Sequence, residues 1–162
     1  MNILSRFKDI KHFILDVDGV LTDGSLLLID GSLARTMHTR DGYAMQLAVK
    51  KGYEIIIITG GRNPTVESRL KGLGLKHVYS GVEDKLAVLN SISDEVDLSK
   101  AIYMGDDMPD LQVMQKVALP CCPANACNEI LAIADYVSPI NGGAGCVRDV
   151  IEKVLKLNDD WQ

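Results

Sequence analysis

The chain is short of basic residues, aromatics, long apolar runs and paired metal-ligating cysteines, and each shortage removes a class of function. Seventeen Lys and Arg stand against twenty-two Asp and Glu, a net charge of −5, so no basic footprint invites nucleic acid or an anionic membrane surface. Any phosphate bound here must be held by local groups. The longest apolar runs, such as Ile55-Ile56-Ile57-Ile58, fall far short of the ~20 residues that cross a bilayer. The polar N-terminus has no apolar signal-peptide core, and a cytoplasmic protein is expected. Four cysteines (Cys121, Cys122, Cys127 and Cys146) include an adjacent pair but no C-x-x-C of the kind that builds a tetrahedral metal site. Reduced, mostly packed thiols are expected. His12, His38 and His77 are too scattered to suggest a metal cluster by spacing. Internal repeats, low-complexity tracts and interdomain linkers are also lacking.

What is present suits a folded domain. At 162 residues, 47% hydrophobic, 24% charged and only 5% aromatic, the whole chain reads as one domain able to bury a real core. Short apolar runs at 12–17, 54–59, 76–79, 101–105 and 136–137 read as strands, most too uniformly apolar to keep a wet face. Helical spacing occupies 43–51, 64–73, 85–92, 110–116, 125–133 and 144–157. Asn63-Pro64 is a cap followed by proline at the first helical position, and Gly72 and Gly74 mark that helix's end. The alternation predicts an α/β fold with a doubly wound, mostly parallel sheet. One segment breaks the rhythm: 25–29 and 32–39 flank Asp30-Gly31, a strong hairpin signal. The first arm of this projecting β-hairpin, Leu26-Leu27-Leu28-Ile29, is apolar on both faces. It is expected to pack either on its own domain or on another subunit.

In open α/β sheets the ligand crevice lies beyond the carboxyl ends of the strands, so the residues after each apolar run carry the information. The first run ends in Asp16-Val17-Asp18-Gly19 and the second in Thr59-Gly60-Gly61-Arg62; the third leads to Asp84-Lys85 and the fourth ends in Gly105-Asp106-Asp107. Asp16 and Asp18 share a face if the strand pleat persists, and the turn at Gly19 lets them converge. Adding Asp106 and Asp107 concentrates carboxylates that repel unless a cation neutralises them or a proton is shared. A hard, oxygen-seeking Mg²⁺ suits such a set and keeps positions open for a phosphoryl oxygen. Thr59 and Lys85 add a hydroxyl and a fixed positive charge. Together they predict phosphoryl transfer.

Each feature alone is ordinary. A lone D-x-D is more often a turn, and as an EF-hand the loop fails, because Val20 and Leu27 fall where ligands are required. Lys85 alone is an exposed helix start, Thr59 a β-branched strand residue, and Gly105-Asp106-Asp107 a turn with a helix cap. Their joint occurrence after separate strands favours the chemical reading.

In order and spacing, Asp16-Val17-Asp18-Gly19-Val20-Leu21-Thr22-Asp23, Thr59-Gly60, Lys85 and Gly105-Asp106-Asp107 with Asp110 resemble the four motifs of the haloacid dehalogenase superfamily of phosphatases. The match spans nearly the whole chain. Only the hairpin stands where larger members carry a cap domain, so the chain is similar to the capless members. Residues 38–43, 59–69 and 142–148 further resemble the capless phosphatases of keto-sugar acid phosphates. The resemblance implies that Asp16 attacks phosphorus to form an aspartyl-phosphate. Asp18 then serves as acid toward the departing sugar oxygen and as base toward water. It implies Mg²⁺ held by Asp16, the Asp18 backbone carbonyl and Asp106, with Asp107 orienting ligands. Thr59 and Lys85 hold the transferring phosphoryl group, and Lys85 also pairs with Asp16.

The same resemblance implies substrate contacts at Gly60, His38, Thr39, Arg40, Asp41, Gly42, Arg62 and Arg69, a guanidinium fork being suited to a sugar carboxylate. It also implies a homotetramer whose neighbouring subunits cover the active site. The 142–145 run is expected either to close over a neighbour's site or to be a loop before the last helix. Gly61 departs from the pattern: many relatives acting on eight-carbon substrates carry Arg there, and those acting on nine-carbon substrates carry Glu. Absence of that Glu favours the eight-carbon substrate, with Arg62 next door as a substitute for the Arg. His38 stands where Asn is common. Alternatives are a phosphatase of a nine-carbon or other sugar phosphate, a phospho-acceptor signalling domain, and a non-catalytic oligomerisation module. In a phospho-acceptor domain the lysine follows a late strand, whereas Lys85 precedes Asp106-Asp107.

Overall fold

The computed structural model describes residues 3–162. Along the chain run α1 (Ile3–Lys8), β1 (His12–Leu15), the hairpin β2 (Leu27–Ile29) and β3 (Ser32–Ala34), α2 (Thr39–Lys50), β4 (Glu54–Ile58), α3 (Pro64–Gly72) and β5 (His77–Tyr79). Then follow α4 (Lys85–Ile92), β6 (Ala101–Met104), α5 (Leu111–Met114), β7 (Leu119–Cys122), α6 (Asn128–Ile133), β8 (Tyr136–Val137) and α7 (Cys146–Leu157). Six strands form one sheet in the order β5-β4-β1-β6-β7-β8, every pairing parallel. From β1 the chain builds outward on one side through β4 and β5, then returns to build the other side from β6. The order therefore reverses between β1 and β6, and a crevice opens beyond their carboxyl ends.

The pleat divides the core in two. Phe13, Leu15, Ile55, Ile57, Ile102 and Met104 face one way, against Met45 of α2, Leu70 of α3 and Val150 of α7. Ile14, Ile56, Ile58 and Tyr103 face the other way, against Leu89 of α4, Val113 of α5 and Ile130 of α6. Both faces are covered, so the strands are apolar without alternation, as expected for a parallel sheet. Fully burying such a side chain contributes roughly 1.5–3 kcal/mol, which makes the strand ends a stiff platform. Asn63 caps α3, its Oδ1 accepting from the Thr65 and Val66 amides at 3.1 Å each. Asp84 caps α4 by accepting from Ala87 N at 3.0 Å, and that cap sets Lys85 at the helix start.

Several boundaries differ from the sequence expectation. α2 begins at Thr39 because the His38 ring accepts from the Arg40 amide at 3.2 Å and caps it, so the second hairpin arm is only Ser32–Ala34. Strand β7 was not expected: Pro120 lacks a donor and argues against an interior strand, yet Leu119–Cys122 lies between β6 and β8. Cys121, Cys122 and Cys146 are buried. The hairpin's apolar arm does not pack on its own domain, Leu27 and Leu28 being 62% and 75% exposed. No helix among the described residues is long and apolar enough to cross a membrane.

Candidate active site

The ladder continues one residue past β1, where Asp16 N donates to Met104 O at 3.0 Å, and the chain then turns sharply. Gly19 makes the turn with φ of 90°. A Cβ at Gly19 would lie 1.9 Å from Asp106 Oδ2, so only glycine lets the loops after β1 and β6 close on each other. The Thr22 hydroxyl ties the loop by accepting from the Gly19 and Gly24 amides at 3.3 and 3.2 Å. The 142–145 run braces it: Gly143 N donates to Val20 O at 2.9 Å, and Gly142 N donates to Asn125 Oδ1 at 2.9 Å. Within the chain this segment is a turn leading into α7.

Side chains from four strand ends meet around this turn. Lys85 Nζ lies 2.9 Å from Asp16 Oδ1 and 2.7 Å from Asp110 Oδ1. Asp110 also accepts the Tyr103 hydroxyl at 2.7 Å on Oδ1 and the Asp106 and Asp107 amides at 3.0 and 3.3 Å on Oδ2. Asp110 therefore ties Lys85 to the loop after β6. Thr59 is buried at the end of β4, its hydroxyl accepting from Gly61 N at 3.3 Å. Asp16, Asp18, Thr59, Gly60, Lys85 and Asp106 all line one cavity of about 790 Å³.

The cluster carries more negative charge than it neutralises. Burial first, and Asp110 next, push the Asp16 carboxyl up to about 6 despite the opposing pull of Lys85. Burial, then Asp16 and Asp110, push Asp106 up to about 7. For Lys85 burial pulls downward, but Asp16 and Asp110 outweigh it and the ammonium is held above its ordinary value. Asp16, Asp106 and Asp110 each present an oxygen within 4.8 Å of the others. Both Asp110 oxygens are already occupied by donors, whereas Asp106 Oδ1 is buried without a hydrogen-bond partner. That orphaned oxygen beside Asp16 fits a hard divalent cation.

The folded carboxyls bind protons more tightly than unfolded ones, so without metal their contribution to stability falls as pH rises from about 4 through 6–7. A cation must displace those protons, and its benefit grows over the same window. The melting-temperature gain from millimolar Mg²⁺ is therefore expected to be larger at pH 8 than at pH 5 by thermal denaturation. A gain that is flat with pH would remove the cation from this cluster.

Other expected contact residues lie elsewhere on the chain. Asp41 is buried, with Oδ1 accepting from Arg148 N at 2.7 Å, which ties α2 to the start of α7. Arg40 lies in a groove with Arg148 and Glu152. Gly42 packs against Arg69, whose Nη2 would stand 2.9 Å from a Cβ at that position. Arg62 packs on Gly81 and lines a groove under the hairpin. His38 and Thr39 are spent on starting α2. None of these residues lines the cavity that holds Asp16. Sequence reasoning missed Arg35, which bonds Asp18 through Nε at 2.6 Å and Nη2 at 3.1 Å. The only available signal was a cation at the end of a hairpin arm.

Comparison with known proteins agrees with this geometry. A family model for haloacid dehalogenase-like hydrolases matches residues 83–151. The 3-deoxy-D-manno-octulosonate 8-phosphate phosphatase of Escherichia coli K12 is 36% identical over 157 residues, covering 95% of this chain and 84% of that protein. The Yersinia pestis phosphatase of the same name is 34% identical over 161 residues, covering 98% and 86% respectively. Among solved structures, the Moraxella catarrhalis phosphatase of that name, in complex with magnesium ion, phosphate ion and a KDO molecule, superposes with a TM-score of 0.93. It is 34% identical, covering 98% of this chain and 93% of that one.

Proposed function

The chain belongs to the haloacid dehalogenase-like hydrolase family, and we propose that it is the Mg²⁺-dependent phosphatase that converts 3-deoxy-D-manno-octulosonate (KDO) 8-phosphate to KDO and phosphate. The observation that carries this reading is the convergence of Asp16, Asp18, Thr59, Lys85 and Asp106 on one cavity, together with the relatives' shared activity. Asp16 attacks phosphorus as the bond to the sugar oxygen breaks, and Asp18 gives its proton to that oxygen. Water then attacks the aspartyl-phosphate, Asp18 takes the proton, and the Asp16 carboxylate is released. Lys85 and Thr59 hold the phosphoryl oxygens in line, Lys85 offsetting the negative charge gathered there. A Mg²⁺ held by Asp16, Asp106 and the Asp18 carbonyl supplies Lewis-acid neutralisation of the phosphoryl oxygens.

The whole chain acts as one domain in the cytoplasm, and copies of it associate through the exposed Leu26–Ile29 arm, for which water is a poor neighbour. His38, Thr39, Arg40, Arg62 and Arg69 then meet sugar where subunits adjoin, while Asp41 and Gly42, buried within the protomer, back that segment from inside. The test is phosphate release from eight- and nine-carbon keto-sugar acid phosphates and simple sugar phosphates, with Mg²⁺ or a chelator. KDO 8-phosphate is expected to give the highest kcat/KM, with activity lost in chelator. Equal rates on every substrate would remove the specific assignment.

A further inference from the structure

Arg35 follows β3 directly, and its side chain reaches back from the hairpin into the catalytic loop. Nε and Nη2 take the two Asp18 oxygens at 2.6 and 3.1 Å, while Nη1 donates to Leu33 O at 3.2 Å. The Arg35 side chain is only 6% exposed. Room for it comes from Gly61, where a Cβ would stand 3.0 Å from Asp18 Oδ2 and 3.1 Å from Arg35 Nη2. Any side chain at 61 would press on the pair. The hairpin is itself moored to the start of α3, the cap residue Asn63 donating through Nδ2 to Leu33 O at 2.9 Å. A bidentate guanidinium fixes both the rotamer and the plane of a carboxylate, which a point charge does not.

We infer that Arg35 is a positioning residue that orients the Asp18 carboxyl for proton transfer to the departing alcohol, so that the seat of the hairpin sets acid–base geometry. The inference rests on the role proposed above for Asp18. In the step concerned, the Asp16–phosphorus bond forms, the phosphorus–alkoxide bond breaks, and the Asp18 proton moves to the alkoxide. The carboxylate left behind stays in the Arg35 fork, ready to receive a proton from the attacking water. Misorientation by even a small rotation penalises proton transfer far more than phosphoryl binding.

The test compares kcat/KM on two leaving groups, because this ratio reports only steps through departure of the alcohol. KDO 8-phosphate releases an alkoxide that needs a proton, whereas p-nitrophenyl phosphate releases a phenolate that does not. Arg35→Ala and Arg35→Gln are expected to lower kcat/KM on the sugar phosphate by about 30-fold or more, within the range of acid–base contributions. The aryl substrate should lose less than about threefold, since no proton is required of Asp18 there. Arg35→Lys should recover part of the loss, and Asp18→Asn should show the same split. A parallel fall on both substrates in the Arg35 variants, with Asp18→Asn still splitting them, would overturn the role of Arg35 alone, as would unchanged rates. A parallel fall in Asp18→Asn would overturn the acid role itself and this inference with it.

Discussion

Asp16→Asn is expected to lower phosphate release by at least about 10³-fold while leaving the protein folded, because it deletes the nucleophile and changes almost nothing else. The amide has the shape of the carboxylate, and Lys85 keeps its 2.7 Å contact with Asp110. Stability should move the opposite way from activity. Burial and Asp110 hold the Asp16 carboxyl up at about 6, so ionising it in the folded protein is unfavourable, and a neutral amide avoids that cost. In chelator at pH 8 the variant should therefore melt no lower than the parent, and its gain from Mg²⁺ should shrink. Acid-quenched wild type given labelled substrate should retain label on Asp16 as an acyl phosphate, and the variant none. Turnover near the parent's level would dismiss Asp16 as the attacking group.

The same cluster separates what a sequence carries from what only folding reveals. Strands β1, β4 and β6 were legible because each is a short apolar run buried on both faces, and the acids and the Thr59 hydroxyl placed after them follow from strand polarity alone, as does Lys85 at the helix start beyond β5. β7 was not, since Pro120 and the flanking Pro123 look like a loop until sheet neighbours impose an extended path. The meeting of the Asp16 and Asp106 carboxylates was legible, while the part played by Asp110 was not. Asp110 appears in the motif, but it becomes a hub only when Tyr103, Lys85 and two backbone amides converge on it. Arg35 lay outside any pattern, because its partner Asp18 is 17 residues away and the hairpin's return path decides the meeting. For His38–Gly42 the motif marked the segment, and folding adds a structural use that the motif did not show: within the chain it starts α2 and anchors α7.

Lys85→Met should be the most destabilising single change in the site, and its cost should depend on pH in a way that identifies the cause. Lys85 is buried with two carboxylates against it, at 2.9 and 2.7 Å. Removing one partner from a buried ionic cluster typically costs about 3–5 kcal/mol, a large share of the ~5–15 kcal/mol that holds a domain folded. For a chain of this length the melting temperature should fall by roughly 6–20 °C. Methionine keeps most of the aliphatic stem, so the loss is electrostatic and not a cavity. Asp16 sits at about 6 even with Lys85 in place, and losing the ammonium drives it higher. The folded variant then holds protons that the unfolded chain releases, and its stability declines as pH rises through that range. The wild type suffers less, because Lys85 remains charged until pH passes its own raised value. The gap in melting temperature, measured in chelator, should thus be small at pH 5 and widen toward pH 8, with kcat/KM down by about 10²–10³-fold. A gap that stays constant between those pH values would mean that packing, not charge, is what Lys85 contributes, and the electrostatic account of the site would fall with it.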